Sequence, residues 1–159
     1  MLSARTVEHA RFLRSAEAKT LVRDKMVGLV QKFKMELKAW VILDNHYHLL
    51  LKTRRGHDLS TFFGQLHGGT SYQINRWDGT AGRQVWHNYW DTCIRDEAGM
   101  WTRFNYIHYN PVKHGYVDKP EDWPFSSYHY YLRTRSKEWL DDCLSRYPVI
   151  SCLEGDDLE

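Results

Sequence analysis

Two runs of β-forming residues lie almost end to end: residues 36–43, centred on Trp40-Val41-Ile42, and residues 47–53, with Leu49-Leu50-Leu51 in their middle. Only Asp44-Asn45-His46 separates them. Asp and Asn suit the backbone of a tight reversal, so the two runs are expected to fold back on each other as an antiparallel hairpin. The segments around the hairpin must then supply more strands and a covering layer.

Upstream, residues 2–7 alternate loosely and predict a short first strand that begins almost at the initiating methionine. Residues 15–34 contain no Pro and place Leu21, Met26, Val27 and Val30 at roughly helical spacing, which predicts a helix. Downstream, residues 58–76 predict a second helix. Asp58 and Ser60 are its cap candidates, Phe62, Phe63, Leu66 and Tyr72 lie along it, and Gly68-Gly69 weakens its middle. Residues 83–95 read as a turn followed by a strand. Residues 97–110 read as a helix ended by Pro111, with Gly115 completing the exit. The order β-α-β-β-α-β-α predicts an α+β fold of the ferredoxin-like split βαβ type, an antiparallel sheet with helices on one face plus an added C-terminal helix. One domain is expected over residues 1–150, with a C-terminal extension from about residue 120 and an acidic tail at 151–159 that is expected to be disordered.

Composition narrows the classes. Residues 154–159 hold four acids, leaving the rest of the chain with 22 bases against 16 acids, a net charge of +6 that is compatible with phosphate backbones. Cys93, Cys143 and Cys152 form no paired motif, which points away from a disulfide framework or structural zinc and toward a reducing cytoplasm. No run approaches the roughly 20 apolar residues that span a bilayer, and no secretory signal opens the chain. Trp77, Trp86 and Trp90 are expected in the core.

The chemistry-bearing residues fall in two segments. In Asp44-Asn45-His46-Tyr47-His48-Leu49 the two histidines stand two apart on a strand, so both imidazoles leave the same face while Tyr47 points to the other. In Tyr106-Ile107-His108-Tyr109-Asn110-Pro111-Val112-Lys113-His114-Gly115, Tyr106 and Asn110 are one helical turn apart and share a face. Met100, Phe104 and Ile107 form a separate apolar stripe toward the sheet.

These segments, with Trp40-Val41-Ile42-Leu43 before the first and Trp123-Pro124-Phe125-Ser126-Ser127-Tyr128 after the second, resemble the HUH single-tyrosine transposases of the smallest bacterial insertion sequences. The closing Trp-Pro-Phe-Ser-Ser motif looks most like their relatives associated with repetitive extragenic palindromes. The resemblance implies that His46, His48 and Asn110 hold a divalent metal, Mg²⁺ or Mn²⁺, and that Tyr106 cuts and rejoins single-stranded or hairpin DNA through a covalent 5′-phosphotyrosine. It also implies a bacterial cytoplasmic protein, nucleoid-associated when on DNA, acting as a homodimer or a monomer. His108 and His114 are candidates to assist the phenol, and Lys52, Arg54, Arg55, Arg83 and Lys113 are candidate phosphate contacts. The rivals are a replication-initiator or relaxase nuclease with the same residue types, and a DNA-binding regulator of the same fold that has lost cutting. A cupin-like metal enzyme would need an all-β chain.

Overall fold

A computed structural model describes residues 1–149. The elements are β1 (Leu2–Thr6), α1 (Ala16–Lys32), β2 (Glu36–Ile42), β3 (His46–Lys52), α2 (Asp58–Trp77), β4 (Trp86–Asp91), α3 (Glu97–Lys113), α4 (Tyr128–Thr134) and α5 (Lys137–Arg146). The expected β-α-β-β-α-β-α order is present, and the strands form one antiparallel sheet in the order β2-β3-β1-β4. The expected tail at 151–159 lies outside the described residues.

The hairpin closes through Leu43, whose N–H donates to the His46 carbonyl at 2.8 Å. His46 is therefore the first residue of β3 rather than part of the loop. Alternation then sorts β3 into two faces. Tyr47 and Leu49 join a core with Phe62, Phe63 and Leu66 of α2 and Val22, Met26 and Val30 of α1. Leu50 joins a second core with Phe104, Tyr106 and Ile107 of α3 and Tyr128, Leu140 and Cys143 of the extension. Helices α1 and α2 thus cover one face, and α3 with the extension covers the other, as expected for the added helix.

Two local expectations give way. Helix α3 runs through Pro111 to Lys113. Proline forfeits the bond to the Ile107 carbonyl, but Pro111 is buried and lies in the last turn, where the exit is well satisfied. Gly115, at φ +67°, donates to the Val112 carbonyl, and Tyr116 donates to that of Pro111, so the helix ends in a Schellman motif one turn later than Pro111 suggests. Helix α2 is preceded by His57, without a side-chain cap from Asp58 or Ser60. The Asp58 and Leu59 N–H groups instead donate to the Arg55 and Gly56 carbonyls. Gly68-Gly69 does not break α2. A Cβ on Gly69 would meet only the flexible end of the exposed Lys25 side chain.

The Trp-Pro-Phe-Ser-Ser segment is bound to the free edge of β2. Ile42 N–H donates to the Phe125 carbonyl, Ser127 N–H donates to the Trp40 carbonyl, and Val41 bridges Ser126 in antiparallel register. Trp123 Nε1 donates to the Ile42 carbonyl at 3.1 Å. Ser127 Oγ also accepts from Trp40 N–H and lies 2.7 Å from His108 Nε2, tying β2, the segment and α3 together. An exposed edge is covered by the chain's own backbone.

At the corner of the hairpin Lys19 and Asp44 form a buried ion pair, Nζ to Oδ1 2.7 Å, with side chains 4% and 10% exposed. Lys19 also donates to the Arg14 carbonyl and lies over the Trp123 and Phe125 rings at 5.4 and 5.7 Å.

On the opposite face Tyr47 Oη lies 2.7 Å from His67 Nε2, and the His67 ring stacks on Trp86 at 4.6 Å. Burial holds the imidazole of His67 down to about 4. It is neutral in the fold and protonates in the unfolded chain below about 6.5, so its stabilisation is complete above pH 6.5 and is lost as pH falls toward 4. His67→Gln keeps an acceptor for Tyr47 and cannot titrate. It is expected to shrink the stability difference between pH 7.5 and pH 5 by about 2 kcal/mol in urea denaturation. An unchanged difference would show that His67 does not contribute to the acid sensitivity.

Candidate active site

Strand β3 presents His46 and His48 on the face covered by α3, and both are buried, at 8% and 1% exposure. Their rings are 5.2 Å apart. Each is oriented from behind. His48 Nδ1 lies 2.6 Å from Ser3 Oγ on β1, its cross-strand partner. His46 Nδ1 lies 2.8 Å from Asn45 Oδ1, and Asn45 Nδ2 donates to the His9 carbonyl at 3.4 Å, which fixes the Asn45 amide. Asn45 Oδ1 can only accept, so the His46 proton sits on Nδ1 and its Nε2 carries a lone pair. Burial keeps His46 down to about 4, with electrostatic interactions with neighbouring His114 and Lys113 acting in the same direction, and burial keeps His48 well below the ordinary imidazole range. Both are neutral at pH 7.

Helix α3 supplies the opposite wall. Asn110 Oδ1 is 3.2 Å from His46 Nε2, while its Nδ2 is buried with no hydrogen-bond partner. The Tyr106 ring meets the His48 ring edge to face at 5.5 Å, and its hydroxyl lies 3.5 Å from Lys113 Nζ. The one-turn spacing therefore does bring Tyr106 and Asn110 together opposite the two histidines, and helical geometry persists at Asn110 despite Pro111. His114, just past the helix, places its exposed ring 4.9 Å from that of His46. His108 does not join them. It is buried against Ser127, Phe104 and Tyr128, where burial holds it down to about 3, so it braces the extension rather than facing the phenol of Tyr106.

The candidate phosphate contacts divide. Lys113 lies within the cluster. Lys52, Arg54 and Arg55 are exposed at the far end of β3, about 20 Å along the strand from His46. Arg83 is not brought near. It pairs with Asp78, donates to Asn75 Oδ1 and lies 4.3 Å over Phe12. Of the three tryptophans expected in the core only Trp86 is buried; Trp77 and Trp90 are 51% and 39% exposed. Trp90 pairs across the sheet with Ser3 and carries Arg5 over its ring at 5.4 Å, so it borders the histidine face. Sequence reasoning missed Ser3 and treated Asn45 only as a turn former. The signal for Ser3 exists only in the register of β1 against β3, whereas Asn45 directly precedes the His-Tyr-His motif.

Among the described residues no three His, Cys, Asp or Glu side chains gather as a metal-binding group, and no helix is long and apolar enough to cross a membrane. The cluster is made of two neutral imidazoles, an amide oxygen and a phenol on one helix-covered face of an antiparallel sheet.

That arrangement agrees with the resemblance of the sequence to the single-tyrosine HUH transposases. The profile of the family described as IS200-like transposases matches residues 5–110, and the chain belongs to this family. A protein of Haemophilus influenzae named as a REP-associated tyrosine transposase is 33% identical over 114 residues, covering 62% of each chain. The REP-associated tyrosine transposase of Escherichia coli K12 is 29% identical over 111 residues, covering 69% of this chain and 64% of its own. The chain thus spans less than two thirds of the length of these relatives. A solved REP-associated tyrosine transposase bound to a REP hairpin shares the fold with a TM-score of 0.69 at 24% identity, over 84% of this chain and 78% of that one.

Proposed function

We propose that the chain is a metal-dependent endonuclease and strand transferase for single-stranded, hairpin-associated DNA, with Tyr106 as nucleophile. The observation that carries this reading is the convergence on one spot of His46 Nε2 and Asn110 Oδ1, with the Tyr106 ring against His48.

The donors fit a divalent cation. With the His46 proton held by Asn45, Nε2 and Asn110 Oδ1 face each other 3.2 Å apart as two acceptors, and the only donor of the amide, Nδ2, is turned away without a partner. Two lone pairs aimed together need a cation between them or a turned amide. Ser3 Oγ can accept from His48 Nδ1–H, the tautomer that leaves His48 Nε2 its lone pair for an ion. Residues His46, His48 and Asn110 would hold Mg²⁺ or Mn²⁺, the latter better matched to nitrogen, and such an ion would neutralise charge on the scissile phosphate.

Tyr106 supplies the bond chemistry. As its Oη–P bond forms the phenol gives its proton to water, the P–O3′ bond breaks, and the departing 3′ oxygen gains a proton. The phosphate stays on the protein as a 5′-phosphotyrosine. Because one ester replaces another, the bond energy is kept and rejoining needs no ATP. The relative bound to a REP hairpin suggests the substrate form, and the exposed Trp90 ring beside the histidine face suits an unpaired base.

The test is a denaturing gel of protein with labelled single-stranded hairpin DNA from beside its own gene, with Mn²⁺, Mg²⁺ or EDTA. A covalent, protease-sensitive band is expected with either metal and none with EDTA. Tight hairpin binding without an adduct under any condition would instead support a binding protein that has lost cutting.

A further inference from the structure

Lys113 stands two helical turns beyond Tyr106 on α3, half-buried, with Nζ 3.5 Å from Tyr106 Oη and 5.3 Å from the ring centroid. Among the described residues no carboxylate pairs with it, whereas Lys19, Lys38 and Lys137 each have an acidic partner. An ammonium left without a counter-charge at a half-buried position, directed at a phenol oxygen, has its field concentrated there. A long hydrogen bond of this kind is typical of a site that tightens when its substrate arrives.

We propose that Lys113 is a catalytic residue whose ammonium stabilises negative charge on Tyr106 Oη, both as the phenol attacks phosphorus and as it is expelled when the strand is rejoined. The proposal rests on Tyr106 being the nucleophile. Lys113 keeps its protons throughout. In cutting, the phenol proton leaves to water. In rejoining, a DNA 3′-hydroxyl attacks phosphorus and loses its proton to water, the P–Oη bond breaks, and the phenolate is reprotonated from water. A preorganised donor at an oxygen that develops charge accelerates both directions. This differs from a lysine that simply holds the DNA backbone, which would act on binding and leave the phenol untouched.

The experiment measures single-turnover adduct formation on the hairpin oligonucleotide in Mn²⁺, together with hairpin affinity across a salt series. Lys113→Met retains the aliphatic stem and is expected to form the adduct about 100-fold more slowly, with affinity and salt slope unchanged. Replacing Tyr106 by a difluorotyrosine, a more acidic phenol with less need of the ammonium, is expected to make the loss caused by Lys113→Met about tenfold smaller than it is with tyrosine. An unchanged adduct rate in Lys113→Met overturns the proposal. So does a loss accompanied by weaker binding and a salt slope lower by about one, which is the mark of a phosphate contact, or a loss that the difluorotyrosine does not relieve. If the unsubstituted protein forms no adduct, or Tyr106→Phe still forms one, it is the nucleophile assignment that has failed, and the role of Lys113 falls with it.

Discussion

Tyr106→Phe is expected to bind hairpin DNA like the unsubstituted protein and to form no covalent adduct, a loss of at least about 10⁴-fold. The substitution removes one oxygen from a ring that is 2% exposed and packed with Phe104 and Ile107, so the apolar contacts that seat α3 on the sheet are kept. The hydrogen bond between its hydroxyl and Lys113 is long, at 3.5 Å, and adds little to folding. Binding and cutting therefore separate cleanly in this variant. The check is the denaturing gel beside a binding titration. An adduct that persists would move the nucleophile to Tyr109, the next phenol in the segment.

The second large effect concerns stability. Asp44→Ala is expected to lower the unfolding free energy by about 3–5 kcal/mol, because it leaves the Lys19 ammonium 4% exposed beneath Trp123 and Phe125 with, among the described residues, only the Arg14 carbonyl to accept from it. Removing both charges in Lys19→Met with Asp44→Ala is expected to cost less than Asp44→Ala alone, since no buried charge is then stranded. Urea denaturation of the single and double variants decides this, and a double variant as unstable as the sum of its parts would argue against a coupled pair. The effect reaches the site as well, because Asp44 immediately precedes the Asn45 that orients His46.

Much of the fold was legible because its cues are local. Alternation in 46–52 places His46 and His48 on one face, and a helix places Asn110 one turn after Tyr106; neither needs knowledge of what packs where. The rest depends on pairings between distant segments. Ser3 supports His48 only once β1 lies against β3, and His108 looked like a catalytic candidate until the extension brought Ser127 to it across 19 residues. Pro111 misled because its local preference is real but is outweighed by burial and by the Gly115 exit. Trp90 misled because aromatic content says nothing of which side of an edge strand faces solvent.

The backbone lying along β2 has a consequence for assembly. A sheet whose two borders are both open can recruit copies from either side and grow without limit. Here residues 125–127 occupy the border along Trp40, Val41 and Ile42, and among the described residues β4 ends the sheet on the other. Strand addition along residues 40–42 of β2 is therefore blocked by the same Ser-Ser segment that braces the tyrosine helix.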